Sequence, residues 1–146
     1  MEAIVLLADW AEAINGKLYI QGGGWSRYTI TSPAPPVTGL PEGTAIIQCA
    51  LAIRFLVGWD ETNERHDVTI RLVDGDGHAV TIAPGQPPIE IRTQLEVGRP
   101  PGSVKGAEID APMAVKFGGI PLPRGRYEFV VELGGNRLTG ASFNVI

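Results

Sequence analysis

The stretch Pro88-Ile89-Glu90-Ile91-Arg92-Thr93-Gln94-Leu95-Glu96-Val97 decides the fold of this chain. Ile89, Ile91, Thr93, Leu95 and Val97 fall on one side of an extended backbone, and Glu90, Arg92, Gln94 and Glu96 fall on the other. Successive side chains of a strand point to opposite faces, so the run predicts a strand with one face buried.

Working outward, the same alternation recurs. From Arg126 to Leu133 the residues Tyr127, Phe129, Val131 and Leu133 share one side, opposite Arg126, Glu128, Val130 and Glu132. Asp67 to Val73 repeats it through Val68, Ile70 and Leu72, and Glu108 to Phe117 through Ile109, Ala111, Met113, Val115 and Phe117. Pro112 lacks an N–H for a ladder, which places that strand at a sheet edge or a bulge. Thr44 to Val57 is longer and greasier, with Ile47, Cys49, Leu51, Ile53, Phe55 and Val57 facing one way and a mostly small or polar opposite face, as suits a central strand. Shorter candidates are Ala3 to Ala8, Lys17 to Gln21 continuing past the glycines toward Ile30, His78 to Ile82, and Leu138 to Val145.

Turn chemistry separates these runs. Asp74-Gly75-Asp76-Gly77 and Gly134-Gly135-Asn136 are hairpin signals, and Asn15-Gly16 precedes another strand. The proline-rich stretches Ser32 to Gly43, Pro84 to Pro88 and Arg99 to Gly102 are expected to be crossover loops between sheets. Ala3, Leu7, Trp10, Ala11 and Ile14 also recur at helical spacing, while Ile4-Val5-Leu6-Leu7 is equally a buried strand. The expectation is a strand over residues 3–8 and at most one helical turn from Asp9 to Ile14. Elsewhere glycine and proline density forbids long helices. The fold class expected is all-β: a single-domain antiparallel sandwich of about nine strands, an immunoglobulin-like Greek key with little or no helix.

Composition bounds function. With 146 residues, 44% of them hydrophobic, one core is able to bury about two-thirds of the unfolded surface without a metal or a disulfide. The formal net charge of −4 comes from scattered residues of both signs. With no clustered basic face to neutralise phosphates, nucleic acid is not an expected partner. Cys49 has no second cysteine to pair with and sits in an apolar run, which suits a reducing compartment. Met1 to Ala8 lacks the parts of a signal peptide, and no apolar stretch approaches a membrane-spanning length, so no membrane role is expected and a cytoplasmic location is.

Leu7-Ala8-Asp9-Trp10-Ala11, Asn15-Gly16-Lys17-Leu18 and Gly22-Gly23-Gly24-Trp25 resemble the opening of a family of small bacterial proteins of unknown function. A strand like Val68 to Asp74 and a Gly-x-Tyr strand like Gly125-Arg126-Tyr127 extend the similarity over nearly the whole chain. This resemblance implies a compact β-sandwich and supplies no catalytic residues. The C-terminal third separately resembles immunoglobulin-like sandwiches, which implies that Tyr127 sits at a strand-start corner with its hydroxyl bonded to backbone. That likeness is one of shape.

Candidate sites are few. Gly22-Gly23-Gly24 leads into Trp25-Ser26-Arg27, not into a helix bearing Lys and Ser or Thr, so a strand kink is expected there instead of a phosphate cradle. Asp74 and Asp76, with Asp60 from another acidic loop, offer oxygens for calcium if those loops converge. The bland alternative is a plain Asp-Gly turn. His66 and His78 flank the same hairpin and read as surface histidines at strand ends. Trp59, in the polar loop Gly58 to Arg65, and Arg65 itself are of the residue types enriched at interface hot spots. A ring folded over the end of the core is the alternative for Trp59. The leading functional expectation is a noncatalytic protein-interaction or structural module, binding a protein partner or self-associating through an edge strand. A ligand-binding sandwich using calcium or loop aromatics to hold a sugar comes second, and an unrecognised enzyme third. No cofactor is expected.

Overall fold

The computed structural model describes residues 1–30 and 43–146. Nine strands form in chain order: β1 (Glu2–Ile14), β2 (Lys17–Gly23), β3 (Arg27–Tyr28), β4 (Ala45–Val57), β5 (Arg65–Asp74), β6 (Glu90–Glu96), β7 (Ile109–Leu122), β8 (Gly125–Leu133) and β9 (Asn136–Val145). They build a four-stranded sheet in the order β2-β1-β4-β7 and a five-stranded sheet in the order β3-β9-β8-β5-β6. Consecutive strands switch sheets repeatedly, so the two layers are wired as an immunoglobulin-type sandwich, with β1, β4 and β7 facing β9, β8, β5 and β6. One pair departs from the expected antiparallel pattern: β3 runs parallel to β9. Among the described residues no helix is long and apolar enough to cross a membrane.

The alternating residues close over one interior. Ile47, Leu51, Ile53, Phe55 and Val57 of β4 meet Val68, Ile70 and Leu72 of β5 and Phe129 and Val131 of β8, all fully buried. Phe129 stacks on Phe143 at 5.7 Å between ring centroids and meets Phe117 in a tilted contact at 4.8 Å. β4 is central, between β1 and β7, and the Pro112 strand β7 ends its sheet, as expected of each.

Four expectations need correction. β1 is one continuous strand with no helical turn at Asp9 to Ile14, because its first half pairs with β4 up to Ala8↔Ala50 while its second half gains β2 as a partner, from Ala8↔Gly23 to Ile14↔Lys17. The Asn15-Gly16 pair closes that hairpin with φ of 50° and 75°, the left-handed values a two-residue loop requires. β2 does not continue toward Ile30. The chain turns at Gly22 and Gly24, with φ of 58° and 86°, and passes to the other sheet as β3. His78 to Ile82 makes only isolated bridges, Val73↔Ala79 and Thr81↔Pro88, because β6 already occupies the edge of β5 from Arg65 to Arg71. For the same reason Pro84 to Pro88 joins two strands of one sheet, whereas Arg99 to Gly102 does cross between sheets. Residues 32–42 of the first proline-rich stretch lie outside the described residues.

The distal half of β1 lies over the outer face of the four-stranded sheet. Ala11 is fully buried there against Ala50 and Ala52, with Leu18 and Ala114 alongside, in a second small apolar cluster apart from the main core.

Candidate functional site

Trp59 sits in a single 3-10 turn, Trp59–Glu61, between β4 and β5. The turn is closed locally: Gly58 N–H donates to Glu61 Oε1 at 3.1 Å and Thr62 Oγ1 donates to the Trp59 carbonyl at 2.7 Å. Arg99, just beyond β6, then clamps it. Its Nε donates to Thr62 Oγ1 at 2.7 Å, a second nitrogen donates to the Trp59 carbonyl at 2.9 Å, and the guanidinium lies 4.1 Å from the indole centroid. The indole is half-buried under a cation, an arrangement worth about 0.5–1 kcal/mol at such a site. Asn63 N–H donates to the Val97 carbonyl at 2.8 Å and ties the loop to the same segment. Arg65 is at this end too, facing Glu96 at 3.4 Å, with both side chains exposed. The two residues singled out from sequence therefore lie at the same end of β5, and each already has a partner within the chain. Beside them an open groove of about 510 Å³ runs where the edges of the two sheets meet, floored by Leu95, Val97, Ile109, Ala111 and Pro112.

The calcium set does not assemble. Asp74, Asp76 and His78 bring one ligand atom each within 4.8 Å of one another. Asp74 Oδ1, however, accepts from the N–H groups of Asp76 and His78, both at 2.9 Å, and so serves the turn. Asp60 belongs to the opposite end of β5, ten residues away along a strand, which is a span of about 33 Å. Calcium wants six to eight oxygens, and the convergence of the Asp60 and Asp74 loops that would supply them is absent. His66 and His78 are likewise at opposite ends of β5. His66 Nε2 lies 2.7 Å from the Glu61 carbonyl. Cys49 is buried in β4, and burial pushes its thiol up to about 11, away from nucleophilic use near neutrality.

The outer faces of the two sheets differ in kind. On the five-stranded sheet charges are laced together: Arg71 pairs with Glu132, Arg92 with Glu90 at 2.9 Å, and Arg137 with both oxygens of Glu128 at 2.6 and 3.1 Å, with Ser142 donating to Glu128 at 3.0 Å. The Arg137 contacts hold the Glu128 carboxyl below its ordinary range, against the opposing effect of burial and with help from Ser142. The four-stranded sheet instead exposes large apolar side chains: Ile4 is 51% exposed, Leu6 42%, Trp10 37% and Ile46 42%. Ile4 is opposite Arg54 and Leu6 opposite Ala52, so both face outward, away from Ile53 and Phe55. Ion pairs on this face, Arg54 with Asp110 at 2.8 Å and Lys116 with Glu12 at 3.4 Å, flank the apolar residues, and Lys116 Nζ lies 4.4 Å over the Trp10 ring. Sequence reading overlooked this face. Its signal was present in Ile4-Val5-Leu6-Leu7, a run apolar on both sides, which marks a strand that is covered on both faces.

A family model described as "Family of unknown function (DUF6941)" matches residues 3–146. No curated protein and no solved structure matches the chain.

Proposed function

We propose, for a chain that belongs to this family of unknown function, that it is a noncatalytic protein-interaction module whose docking face is the outer surface of the four-stranded sheet. The difference between the two outer faces carries this reading. A sheet face that meets only water is polar or charged, as on the β6-β5-β8-β9 side, whereas large apolar side chains left exposed side by side, as Ile4 and Leu6 are at successive outward positions of β1, mark a surface meant to be covered. Ile4, Leu6 and Ile46 each leave about half of their surface in water. Covering them returns a corresponding share of the roughly 1.5–3 kcal/mol that full burial of such a side chain is worth. The Trp59 and Arg65 end is a weaker docking centre, because Arg99 already covers the indole and Glu96 already faces Arg65.

The test places a photo-crosslinking amino acid at Leu6 and, as a control, at Arg92 on the opposite outer face, and irradiates living cells that make the protein. Discrete adducts from position 6 and none from position 92 are the expected outcome. Equal labelling from both positions, or none from position 6, rejects the docking face.

A further inference from the structure

We infer that Asn15 is a site of spontaneous covalent modification, where the Gly16 backbone nitrogen displaces the side-chain amide nitrogen and one of the two products opens the β1-β2 hairpin. The sequence singles out this pair. Asn15 precedes a glycine, whereas Asn63, Asn136 and Asn144 precede Glu64, Arg137 and Val145, whose side chains crowd the nitrogen that would attack. Asparagine is among the thermally labile residues, and the loop leaves its chemistry open. Asn15 and Gly16 are both exposed. Apart from its chain neighbours, no atom lies within 4 Å of the place a Cβ would take on Gly16, and the Gly16 N–H makes no hydrogen bond among the described residues. Ring closure needs the Asn15 backbone to leave the conformation of the closed turn, in which its φ is 50°. Fraying supplies that freedom: β2 is the outer strand of its sheet, every residue in it except Leu18 is exposed, and few apolar contacts oppose local opening.

In the first step the Gly16 nitrogen gives up its proton to hydroxide and bonds to Asn15 Cγ, and the side-chain nitrogen takes a proton from water and leaves as ammonia. The result is a succinimide ring. Nucleophile and carbonyl belong to adjacent residues, so the reaction is intramolecular. Water then opens the ring at one of its carbonyls. Breaking the bond from Cγ to the Gly16 nitrogen gives aspartate; breaking the bond from the main-chain carbonyl carbon to that nitrogen gives isoaspartate, whose chain runs through Cγ. In either case one water is consumed and one ammonia released. Aspartate tolerates the left-handed turn as asparagine does. Isoaspartate adds one backbone carbon to a loop whose two residues are what let Ile14 pair with Lys17. The hairpin then loses its closure, and Ala11 and Leu18 lose their hold on Ala50 and Ala52.

Peptide mapping by mass spectrometry follows the purified full chain through storage at pH 8 and at pH 5. Conversion of Asn15 to both acids is expected, faster at pH 8 because the attacking nitrogen must shed its proton, with Asn63, Asn136 and Asn144 intact over the same time. Hydrogen exchange then compares the isoaspartate fraction with fresh protein and with Asn15→Asp, each shown to be folded by circular dichroism. About tenfold faster exchange of the β2 amides is expected in the isoaspartate fraction, as losing a closing hydrogen bond implies, and no such gain in Asn15→Asp. An Asn15 that stays intact in the native chain while the urea-unfolded chain is converted, or conversion as fast at Asn63, Asn136 and Asn144, overturns the site. An isoaspartate fraction whose β2 exchanges like fresh protein overturns the opening of the hairpin.

Discussion

Tyr127 donates its hydroxyl to the Pro123 carbonyl at 2.7 Å, across the corner where β7 gives way to β8. The bond satisfies a carbonyl at a point where the chain passes from one sheet to the other, and Tyr127→Phe removes the donor while keeping the ring stacked on Phe143. A loss of about 1 kcal/mol is expected in urea unfolding, with the denaturant slope unchanged; no loss would mean that ring packing alone holds the corner. Cys49 makes a second prediction. Its folded-state pKa of about 11 lies above the ordinary thiol value of 9.0, so the fold retains the proton. The stability this represents is complete below the ordinary thiol value and is lost as pH rises through the folded one. A thiol reagent at pH 8 is expected to label Cys49 in urea and scarcely at all in the native protein. Labelling at the unfolded rate under native conditions would place the thiol at the surface. Both residues were legible in sequence, Cys49 from its place in an alternating apolar run and Tyr127 from its Gly-x-Tyr setting. Asp60 was not, because sequence holds no distance between two acidic loops, and these two lie at opposite ends of β5.

At the scale of elements, β1 is the instructive case. Its residues after Asp9 carry a pattern that suits a short helix as well as a strand, and pairing with β2 settles the matter by giving their backbone groups a ladder. A partner strand is not part of a local pattern, which is why the helical turn was expected there. The β8-β9 hairpin supplies the prediction at this scale. Glu128 is held ionised by Arg137 across the pair, so its folded-state pKa lies below the ordinary carboxylate value. The stability from this pairing is present above that ordinary value and is lost as pH falls. Arg137→Ala is expected to cost roughly 0.5–1 kcal/mol at pH 7, at the upper end for an exposed pair because the contact is bidentate. The difference from wild type should shrink as the pH falls below that ordinary carboxylate value in parallel urea titrations. A cost that persists there would assign Arg137 to packing instead of charge.

Considered as a whole, the molecule laces one outer face with ion pairs and leaves large apolar side chains exposed on the other, and the consequence is measurable in stability. Phe129→Ala, in the interior between the sheets, is expected to cost about 3–5 kcal/mol. Leu6→Lys, on the open face, should change stability by no more than about 0.5 kcal/mol in either direction. Thermal unfolding of both at low concentration checks this, and comparable losses would mean that Leu6 belongs to the core. Which residues turn inward was settled by sequence alone, for a simple reason: the two-residue period is a property of the extended chain itself, so Leu72, Phe129 and Leu95 declare their side wherever their strands come to lie. Only the tertiary structure decided which sheet each strand joins, that Trp59 and Arg99 meet while Asp60 and Asp74 do not, and that Ile4 and Leu6 keep about half of their surface in water. Those facts are distances between residues far apart in sequence, and such distances exist only once the two sheets have closed on each other.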